Sequence, residues 1–255
     1  MKIPKLHISG SGQILVWMHG MLNSVESDSV YSLIDFEKLA QQLQLVRYNA
    51  GDQSATADYS WNGLVEELSG IIDHLGDEKA ILGGVSMGSG TALYTAIRYP
   101  EKVKALILVT PPPAWEVRVA VQDLYEKIAL KARPDYLPEF LKRIIQRNQD
   151  PPEFFEQQFP GTRKKLLEMR MGFEPSYYYS IYHGGAISDF PERDELTKVK
   201  IPVLIVGDPN DPGHPIEVAR EMQQLLPNAT LVELKNINDY RQLQETVSIF
   251  IKQIT

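Results

Sequence analysis

Five residues at the junction of an apolar run and an amphipathic segment constrain the fold of this chain more than any other feature. They read Gly84-Val85-Ser86-Met87-Gly88, and they lie between Ala80 to Leu82 and the helix-like stretch Ser89 to Arg98. G-x-S-x-G at a strand-to-helix junction is typical of a sharp turn that exposes the serine hydroxyl and leaves room only for small neighbours. The helix N-terminus behind it can offer N–H groups to a developing oxyanion. Ser86 is therefore a candidate nucleophile, although the same serine could simply cap the helix that follows.

Short apolar runs rich in β-branched residues alternate with amphipathic segments along most of the chain. The predicted strands are Ile14 to Met18, Leu45 to Tyr48, Lys79 to Val85, Val103 to Val109, Val203 to Val206 and Thr230 to Leu234. The predicted helices are Tyr31 to Leu43, Trp61 to Leu75, Ser86 to Arg98, Pro215 to Leu226 and Tyr240 to Gln253. Alternation of this kind predicts an α/β fold in which a mostly parallel, doubly wound sheet is covered by helices on both faces.

The alternation stops between about Pro111 and Pro191, where the sequence is helical, rich in aromatic residues and interrupted by prolines. Its segments are Trp115 to Arg133, Pro138 to Asn148, Pro152 to Phe159, Gly161 to Met171 and the run Tyr177 to Tyr182. We expect a helical cap at residues 115–190, inserted into a core formed by residues 1–114 and 191–255. The aromatic residues of the cap either line an apolar or aromatic substrate pocket or form ordinary cap core; they are Phe154, Phe155, Phe173, Tyr178 and Tyr182.

The composition narrows the possible functions. The chain has 255 residues and no cysteine, which excludes disulfides, thiolate nucleophiles and cysteine metal sites. A net charge of -7 argues against nucleic acid as the main partner, because phosphate binding needs a basic surface. No stretch approaches ~18 consecutive apolar residues, and the N-terminus lacks the apolar segment of a signal peptide. We therefore expect a cytoplasmic protein without a membrane partner. Its glycines match neither the phosphate-loop nor the dinucleotide motif. We expect it to act on a small molecule and to need no metal or cofactor.

Two further motifs join the Ser86 turn. Trp17-Met18-His19-Gly20-Met21 ends a predicted strand in a His-Gly turn, and Ile201 to Pro212 runs from a late strand through Gly207 into Asp208 and Asp211. Together with Tyr59-Ser60-Trp61 at a helix start, these motifs resemble the α/β-hydrolase superfamily over nearly the whole chain. The resemblance implies that Ser86 is the nucleophile, that Asp211 is the acid of a catalytic triad, and that the backbone N–H groups of Met21 and Met87 form the oxyanion hole. Without the resemblance, Asp208 and Asp211 would pass as ordinary turn formers.

The chain departs from the family pattern at the catalytic base. The family places its histidine in the loop before the final helix, and here Asp239 occupies that position. A carboxylate is a poor base for a serine hydroxyl near neutral pH because its ordinary pKa is ~3.9. Asp239 and Gln242 instead fit the D-x-x-Q pattern of a capping box.

Five histidines are available to serve as the base. We expect His7 and His74 to be solvated, and His19 to bond the backbone of its own loop. His214, close to Asp211 in the chain, is the first candidate base, and His183 in the predicted cap is the second.

The expected function is hydrolysis of a small carboxylic ester, lactone or related acyl compound by Ser86 with a displaced base. Two alternatives remain open at this point. One is a catalytically weak or inactive member of the family that binds a small ligand under the cap. The other is non-hydrolytic, lyase-type chemistry at the same oxyanion hole.

Overall fold

The structure is a computed structural model that describes residues 3–76, 79–132, 138–146 and 151–255. Two of the expected helices end at Arg133 and Asn148, and the last residues of both lie outside the described part of the chain.

A seven-stranded sheet forms the centre of the molecule. Its strands are β1 (Leu6–Ser9), β2 (Ile14–Met18), β3 (Gln44–Tyr48), β4 (Ala80–Val85), β5 (Val103–Val109), β6 (Val203–Gly207) and β7 (Ala229–Glu233), in the spatial order β1-β3-β2-β4-β5-β6-β7. Every neighbouring pair is parallel except β1 with β3. The six strands expected from the sequence are all present, and the antiparallel edge strand β1 adds to them.

The central strands are buried along nearly their whole length. Every residue of β2 and β6 is buried, and so are all but one residue of β4 and of β5. Continuous apolar runs are typical of parallel strands that carry helices on both faces, because neither side chain row meets water.

Helices cover both faces of this sheet. Before the long insertion they are α1 (Val25–Asp28), α2 (Phe36–Ala40), α3 (Trp61–Leu75) and α4 (Met87–Arg98), with a 3₁₀ turn at Ala50–Gln53; α11 (Ile216–Leu225) and α12 (Ile237–Ile254) follow it. One apolar cluster joins the sheet to α3, α4 and α11, and a second joins the opposite face to α2 and α12. The expected doubly wound α/β architecture is confirmed.

Among the described residues, six helices separate β5 from β6. They are α5 (Trp115–Lys131), α6 (Glu139–Gln146), α7 (Glu153–Gln158), α8 (Thr162–Met171), α9 (Pro175–Ala186) and α10 (Arg193–Leu196). α5 packs along α9, and the buried residues Tyr177, Tyr178 and Ile181 tie α9 to the main apolar cluster. The described residues between β5 and β6 are thus mainly helical, while the assignment of residues 115–190 to a separate cap stays a prediction.

The helix expected from Tyr31 to Leu43 is wrong in its first part. The helix here is α2, which begins at Phe36 with Asp35 as its N-cap. The Ser32 Oγ accepts a hydrogen bond from the Ile34 N–H at 3.1 Å, and the Asp35 carboxylate accepts one from the Lys38 N–H at 3.1 Å. Short polar side chains of this kind compete with helical hydrogen bonding, so the helix starts only after them.

Candidate active site

Ser86 lies in a strained turn between β4 and α4. Its backbone has φ 52° and ψ −112°, a conformation that costs energy for a residue with a side chain. The turn is held on both sides, because the Ser86 N–H donates to the Val109 carbonyl and the Gly90 N–H donates to the Ser86 carbonyl, each at 3.0 Å.

Two glycines leave the room that this turn requires. A Cβ on Gly84 would lie 2.6 Å from the Gly88 carbonyl carbon, and a Cβ on Gly88 would lie 2.4 Å from the Met18 carbonyl oxygen. Both contacts are with backbone atoms that cannot move aside without displacing β2 or α4. The G-x-S-x-G pattern therefore has a steric cause in this chain.

The structure brings His214 to Ser86. The His214 Nε2 lies 2.7 Å from the Ser86 Oγ, and the His214 Nδ1 lies 2.7 Å from the Asp211 Oδ2. With the proton on Nδ1, the imidazole donates to the Asp211 carboxylate and accepts from the Ser86 hydroxyl. This is the connectivity that general-base activation of a serine requires.

Asp211 and His214 lie on one short turn between β6 and α11. The Asp211 Oδ1 accepts a hydrogen bond from the Gly213 N–H at 2.8 Å, and the His214 N–H donates to the Asp211 carbonyl at 3.3 Å. Burial acts to raise the pKa of the Asp211 carboxyl. The hydrogen bond from His214, the charge of His214 and the backbone N–H groups of Gly213 and His214 outweigh it and hold that pKa below its ordinary value.

The loop after β2 carries the first oxyanion candidate. Met21 follows Gly20, and Met87 is the first residue of α4, where an N–H group has no acceptor within the helix. Both methionines line the same cavity as Ser86.

His19 fixes the loop that presents Met21. It is buried, its Nδ1 lies 2.8 Å from the Gly20 carbonyl, and its Nε2 accepts a hydrogen bond from the Ala50 N–H at 3.1 Å. Burial lowers the pKa of His19, which favours the neutral ring that these two contacts need. His19 bonds loop backbone, as the sequence predicts.

Asp239, at the position usual for the histidine, belongs to a helix cap. Its Oδ2 accepts hydrogen bonds from the backbone N–H groups of Lys235 and Asn236 at 2.8 and 2.9 Å. The capping box is formed by Asn236 and Asp239, so the expected pairing of Asp239 with Gln242 is wrong. The reason is that α12 begins at Ile237, one turn earlier than the sequence pattern indicated.

His183, the second candidate base, does not reach Ser86. Its ring stacks on Tyr179 at 5.5 Å, and its Nδ1 lies 3.5 Å from the Glu126 carboxylate. Ile181 and Gly185 of the same helix line the cavity at Ser86. His183 stands between them in sequence, so the helical period turns it onto a different face.

Two cavities meet at the Ser86–His214 pair. The first has about 350 Å³ of empty space, open solvent included, and is lined by Met21, Tyr59, Trp61, Ser86, Met87, Pro112, Arg118, Tyr125, Ile181, Gly185 and Ser188. The second has about 690 Å³ of empty space, open solvent included, and is lined by Asn23, Ser27, Asp28, Tyr31, Ser32, Leu33, Val85, Thr110, Pro152, Leu166, Arg170, Asp208, Asp211, His214 and Tyr240. Ser86 and the oxyanion candidates thus face the first cavity, and His214 and Asp211 face the second.

The aromatic residues expected to line the pocket lie in neither of these two cavities. Tyr178 and Tyr182 are buried in the main apolar cluster, Phe173 packs against it, and Phe154 contacts Tyr240 edge-on at 4.9 Å. Phe155 packs on Tyr31 and Phe159. Phe173, Tyr178 and Tyr182 therefore belong to the apolar cluster or pack against it. Phe154 and Phe155 are half-buried and pack on Tyr240 and Tyr31, which line the second cavity.

Sequence reasoning missed Arg118, which lines the first cavity, and Asp28 and Arg170, which line the second. All three charged side chains are buried. A signal existed for Arg118, since it interrupts the apolar run around Val117 and Val119. Burial raises the pKa of the Asp28 carboxyl to about 7, although the charges of Arg47 and Arg170 act in the opposite direction.

This sheet order and the strained serine at the carboxyl end of β4 define a scaffold of the hydrolase type. The model of the alpha/beta hydrolase fold family matches residues 19–245. The chain belongs to the α/β-hydrolase family, as the resemblance of its motifs predicts.

Several relatives carry hydrolase names. The chain is 30% identical to the AB hydrolase superfamily protein YisY of Bacillus subtilis over 189 residues, which is 70% of this chain and 66% of that protein. It is 27% identical to the pimeloyl-[acyl-carrier protein] methyl ester esterase of Nitrosomonas europaea over 89% of both chains. Hydrolases are therefore the chain's relatives in sequence as well as in fold.

Solved structures show the same fold at lower identity. A thermophilic esterase from Thermogutta terrifontis superposes with a TM-score of 0.78 at 17% identity, covering 98% of this chain and 93% of the esterase. MenH from S. aureus superposes with a TM-score of 0.74 at 21% identity, covering 97% and 98%.

In the described ranges, no helix has the length and apolar character needed to span a membrane. Nor do the described His, Asp and Glu residues gather into a group able to hold a metal ion.

Proposed function

We propose that the chain hydrolyses a small carboxylic ester, lactone or related acyl compound through a Ser86–His214–Asp211 triad. The observation that carries the proposal is the hydrogen-bonded relay from the Ser86 Oγ to the His214 Nε2 and from the His214 Nδ1 to the Asp211 Oδ2, 2.7 Å at each step. The base would thus be displaced from the position usual in the family to the turn that also carries the acid.

In the first half-reaction, the Ser86 Oγ attacks the substrate carbonyl carbon while its proton passes to the His214 Nε2. The carbonyl oxygen becomes an oxyanion, which the N–H groups of Met21 and Met87 would stabilise. The intermediate collapses when the leaving oxygen takes the proton from His214, which releases the alcohol and leaves an ester of Ser86.

In the second half-reaction, water attacks that ester and gives a proton to the His214 Nε2. The new tetrahedral intermediate expels the Ser86 Oγ, which takes the proton back, and the carboxylic acid leaves. Asp211 keeps its negative charge throughout and holds the imidazole in the Nδ1–H form.

Two properties of the site and the name of one relative support this assignment. The Asp211 pKa lies below its ordinary value, so the acid is ionised wherever the histidine can act as a base. The strained backbone of Ser86 is of the kind that accumulates at functional sites. The relative named as a methyl ester esterase acts, by its name, on an ester. A cytoplasmic location remains an expectation from the sequence.

The proposal is tested by labelling with a fluorophosphonate probe and by hydrolysis of p-nitrophenyl butyrate. The wild type should label and turn over, and Ser86→Ala and His214→Ala should do neither at a comparable rate. His183→Ala is the matched control, because His183 lies on another face of α9, and it should behave as the wild type does.

The alternatives give different results. A protein that only binds a ligand would neither label at Ser86 nor hydrolyse any ester in a panel of acyl chain lengths. Lyase-type chemistry without an acyl-enzyme would leave no acyl group on Ser86 and would give no p-nitrophenyl ester turnover that depends on Ser86. Either result contradicts the triad.

A further inference from the structure

Arg118 is buried in a stretch of helix whose apolar neighbours are exposed. Its side chain is 3% exposed, whereas Val117 and Val119 beside it are 41% and 62% exposed. α5 therefore turns its charged residue inward and its valines outward, which is the reverse of the usual preference. The guanidinium lines the first cavity together with Ser86.

The guanidinium is hydrogen-bonded to neutral groups. Its Nε and Nη2 donate to the Ser188 carbonyl at 3.1 and 2.9 Å, and the Nη2 also donates to the Gly185 carbonyl at 2.6 Å. Among the residues that the structure describes, none supplies a carboxylate oxygen within ion-pair distance of Arg118. Asp189 attracts it from beyond that distance, and the Asp189 carboxylate accepts a hydrogen bond from Gln122.

Two aromatic rings flank the same charge. The guanidinium carbon lies 5.7 Å from the Trp61 ring centre and 5.9 Å from the Tyr125 ring centre. Ring faces attract a cation but do not neutralise it. A buried positive charge thus stands in the wall of the cavity without a counter-ion at contact distance.

The second cavity has the opposite balance of charge. Asp208 and Asp211 line it together with Asp28, which is only partly ionised near neutral pH because burial raises its pKa to about 7. Arg170 is the only Lys or Arg in its described lining. The described lining of the first cavity contains Arg118 and no Asp or Glu. An anionic group is therefore favoured on the Ser86 side and disfavoured on the His214 side.

The proposed reaction assigns a part of the substrate to each side. The oxyanion candidates Met21 and Met87 line the first cavity, so the carbonyl and its acyl chain belong there. His214 must protonate the leaving oxygen, and it lines the second cavity, so the leaving group belongs on that side.

We infer that the acyl part of the substrate carries a carboxylate, which pairs with Arg118 in the first cavity, and that the leaving group is neutral or cationic. The inference rests on the proposed function and names its substrate class, the half-esters and half-amides of dicarboxylic acids and related acyl anions. Arg118 serves as a binding residue and takes no part in proton transfer.

The test compares two esters that share a leaving group and differ only in charge at the far end of the acyl chain. They are mono-p-nitrophenyl adipate, which ends in a carboxylate, and p-nitrophenyl adipamate, which ends in the neutral carboxamide of the same shape. We expect the wild type to prefer the carboxylate by about 10- to 100-fold in kcat/KM, mainly through KM, as for a hydrogen bond to a charged group.

Arg118→Met should lower kcat/KM for the carboxylate ester about 10- to 100-fold more than for the carboxamide ester, so that the preference between the two esters disappears. Arg118→Lys should restore part of the preference, since it keeps the charge but not the planar geometry. Arg193→Met is the matched control: Arg193 pairs with Glu116 on the outer surface of α5, so the preference should survive.

A purely structural role for Arg118, as a brace between α5 and the end of α9, predicts equal losses on both esters together with a lower unfolding midpoint. That result, or a wild type without preference for the carboxylate, overturns the inference. The wild-type comparison stands even if Arg118→Met does not fold. Ser86-dependent hydrolysis of the carboxamide ester without any preference would overturn this inference alone, whereas no Ser86-dependent hydrolysis of either ester would overturn the proposed function.

Discussion

The imidazole of His214 is held at both nitrogens, and the two contacts come from different parts of the fold. Asp211 is three residues away in the chain, whereas Ser86 is 128 residues away. In the proposed triad, the local contact with Asp211 favours the Nδ1–H tautomer, and the distant contact places the imidazole against the Ser86 hydroxyl. Asp239 makes contacts of another kind, all to the backbone and side chain at the start of α12.

The first prediction distinguishes the role of His214 from that of Asp239. His214→Ala should lower kcat for p-nitrophenyl butyrate by on the order of 10⁴–10⁶, because Ser86 then has no base. Asp239→Ala should change kcat by less than about threefold and lower the free energy of unfolding by about 0.5–2 kcal/mol, through loss of the cap. Steady-state kinetics and urea denaturation measure both effects. A folded Asp239→Ala protein as inactive as His214→Ala would show that the base stands elsewhere.

The second prediction concerns Asp28 and its raised pKa of about 7. As pH rises from about 4, the unfolded chain releases the proton of Asp28 before the folded protein does, so the free energy of unfolding falls until about pH 7. Asp28→Asn cannot ionise and escapes this loss, although it also forgoes the attraction of Arg47 and Arg170. The variant should therefore gain on the wild type between pH 4 and 7, by up to about 4 kcal/mol.

Guanidinium denaturation at pH 4.5, 6 and 8 measures that gain. The difference between Asp28→Asn and the wild type should be smallest at pH 4.5 and largest at pH 8. A difference that stays constant over this range would mean that the Asp28 carboxyl is ionised in the folded protein at every pH tested.

At the scale of elements, the turn between β4 and α4 depends on three backbones that meet at one point. β2 passes so close to the start of α4 that the Met18 carbonyl occupies the space where a Gly88 Cβ would stand. Neither the strand nor the helix can retreat, because β2 is hydrogen-bonded between β3 and β4.

The third prediction follows from this contact. Gly88→Ala should lower the free energy of unfolding by at least about 1–3 kcal/mol, as overpacking does, and should lower kcat because Ser86 shifts with the turn. Gly172→Ala is the control: its φ is −82°, and its added Cβ would meet Met169 O no closer than 3.3 Å. Urea denaturation of the two variants should give clearly different midpoints, and equal midpoints would contradict the steric account.

The bounds of the strands and helices also show which features the sequence predicts correctly and which it does not. β2 and β5 match their predicted bounds because buried parallel strands leave an uninterrupted apolar run. The predicted start of α12 is three residues too late. Both Asn236 and Asp239 are suitable N-cap residues, and only the backbone geometry shows that Asn236 is the N-cap. Helix ends depend on single hydrogen bonds, whereas strand positions depend on many side chains.

The residues of the candidate site also divide into those that the sequence predicts and those that it does not. Ser86, Asp211, Met21 and Met87 could be named from motifs, since turns and strand ends leave marks in the local sequence. The two cavities could not, because Arg118, Tyr125 and Ile181 come from helices whose packing is decided by contacts far away in the chain. The aromatic residues of the insertion misled for the same reason, because their rings pack on the main apolar cluster or on Tyr31 and Tyr240 and do not line either cavity.

At the scale of the whole molecule, two apolar cores share one sheet. Leu68 of α3 belongs to the core on one face, and Leu243 of α12 belongs to the core on the other, each nearly completely buried. The buried strands between them contribute side chains to both cores, so neither core is complete without the other.

The fourth prediction tests whether the two cores unfold together. Leu68→Ala and Leu243→Ala should each lower the free energy of unfolding by about 2–5 kcal/mol, and the double variant should lose close to the sum, because the two sites do not touch. Each variant should unfold in one transition when followed by circular dichroism and by tryptophan fluorescence. Two separated transitions in either single variant would show that the faces unfold independently.

The turn that carries both Asp211 and His214 has a consequence for how the site assembles. A hydrogen bond closed across four residues costs little loop-closure entropy, and it forms or breaks without any change elsewhere in the chain. Only the docking of this turn against the end of β4 then remains for folding to achieve. Local opening of α12, which would detach the histidine in a relative with the usual arrangement, leaves this pair in place. In the proposed mechanism the loop before α12 therefore has no catalytic role, whereas the buried side chains of α12, such as Leu243, are still needed for the core.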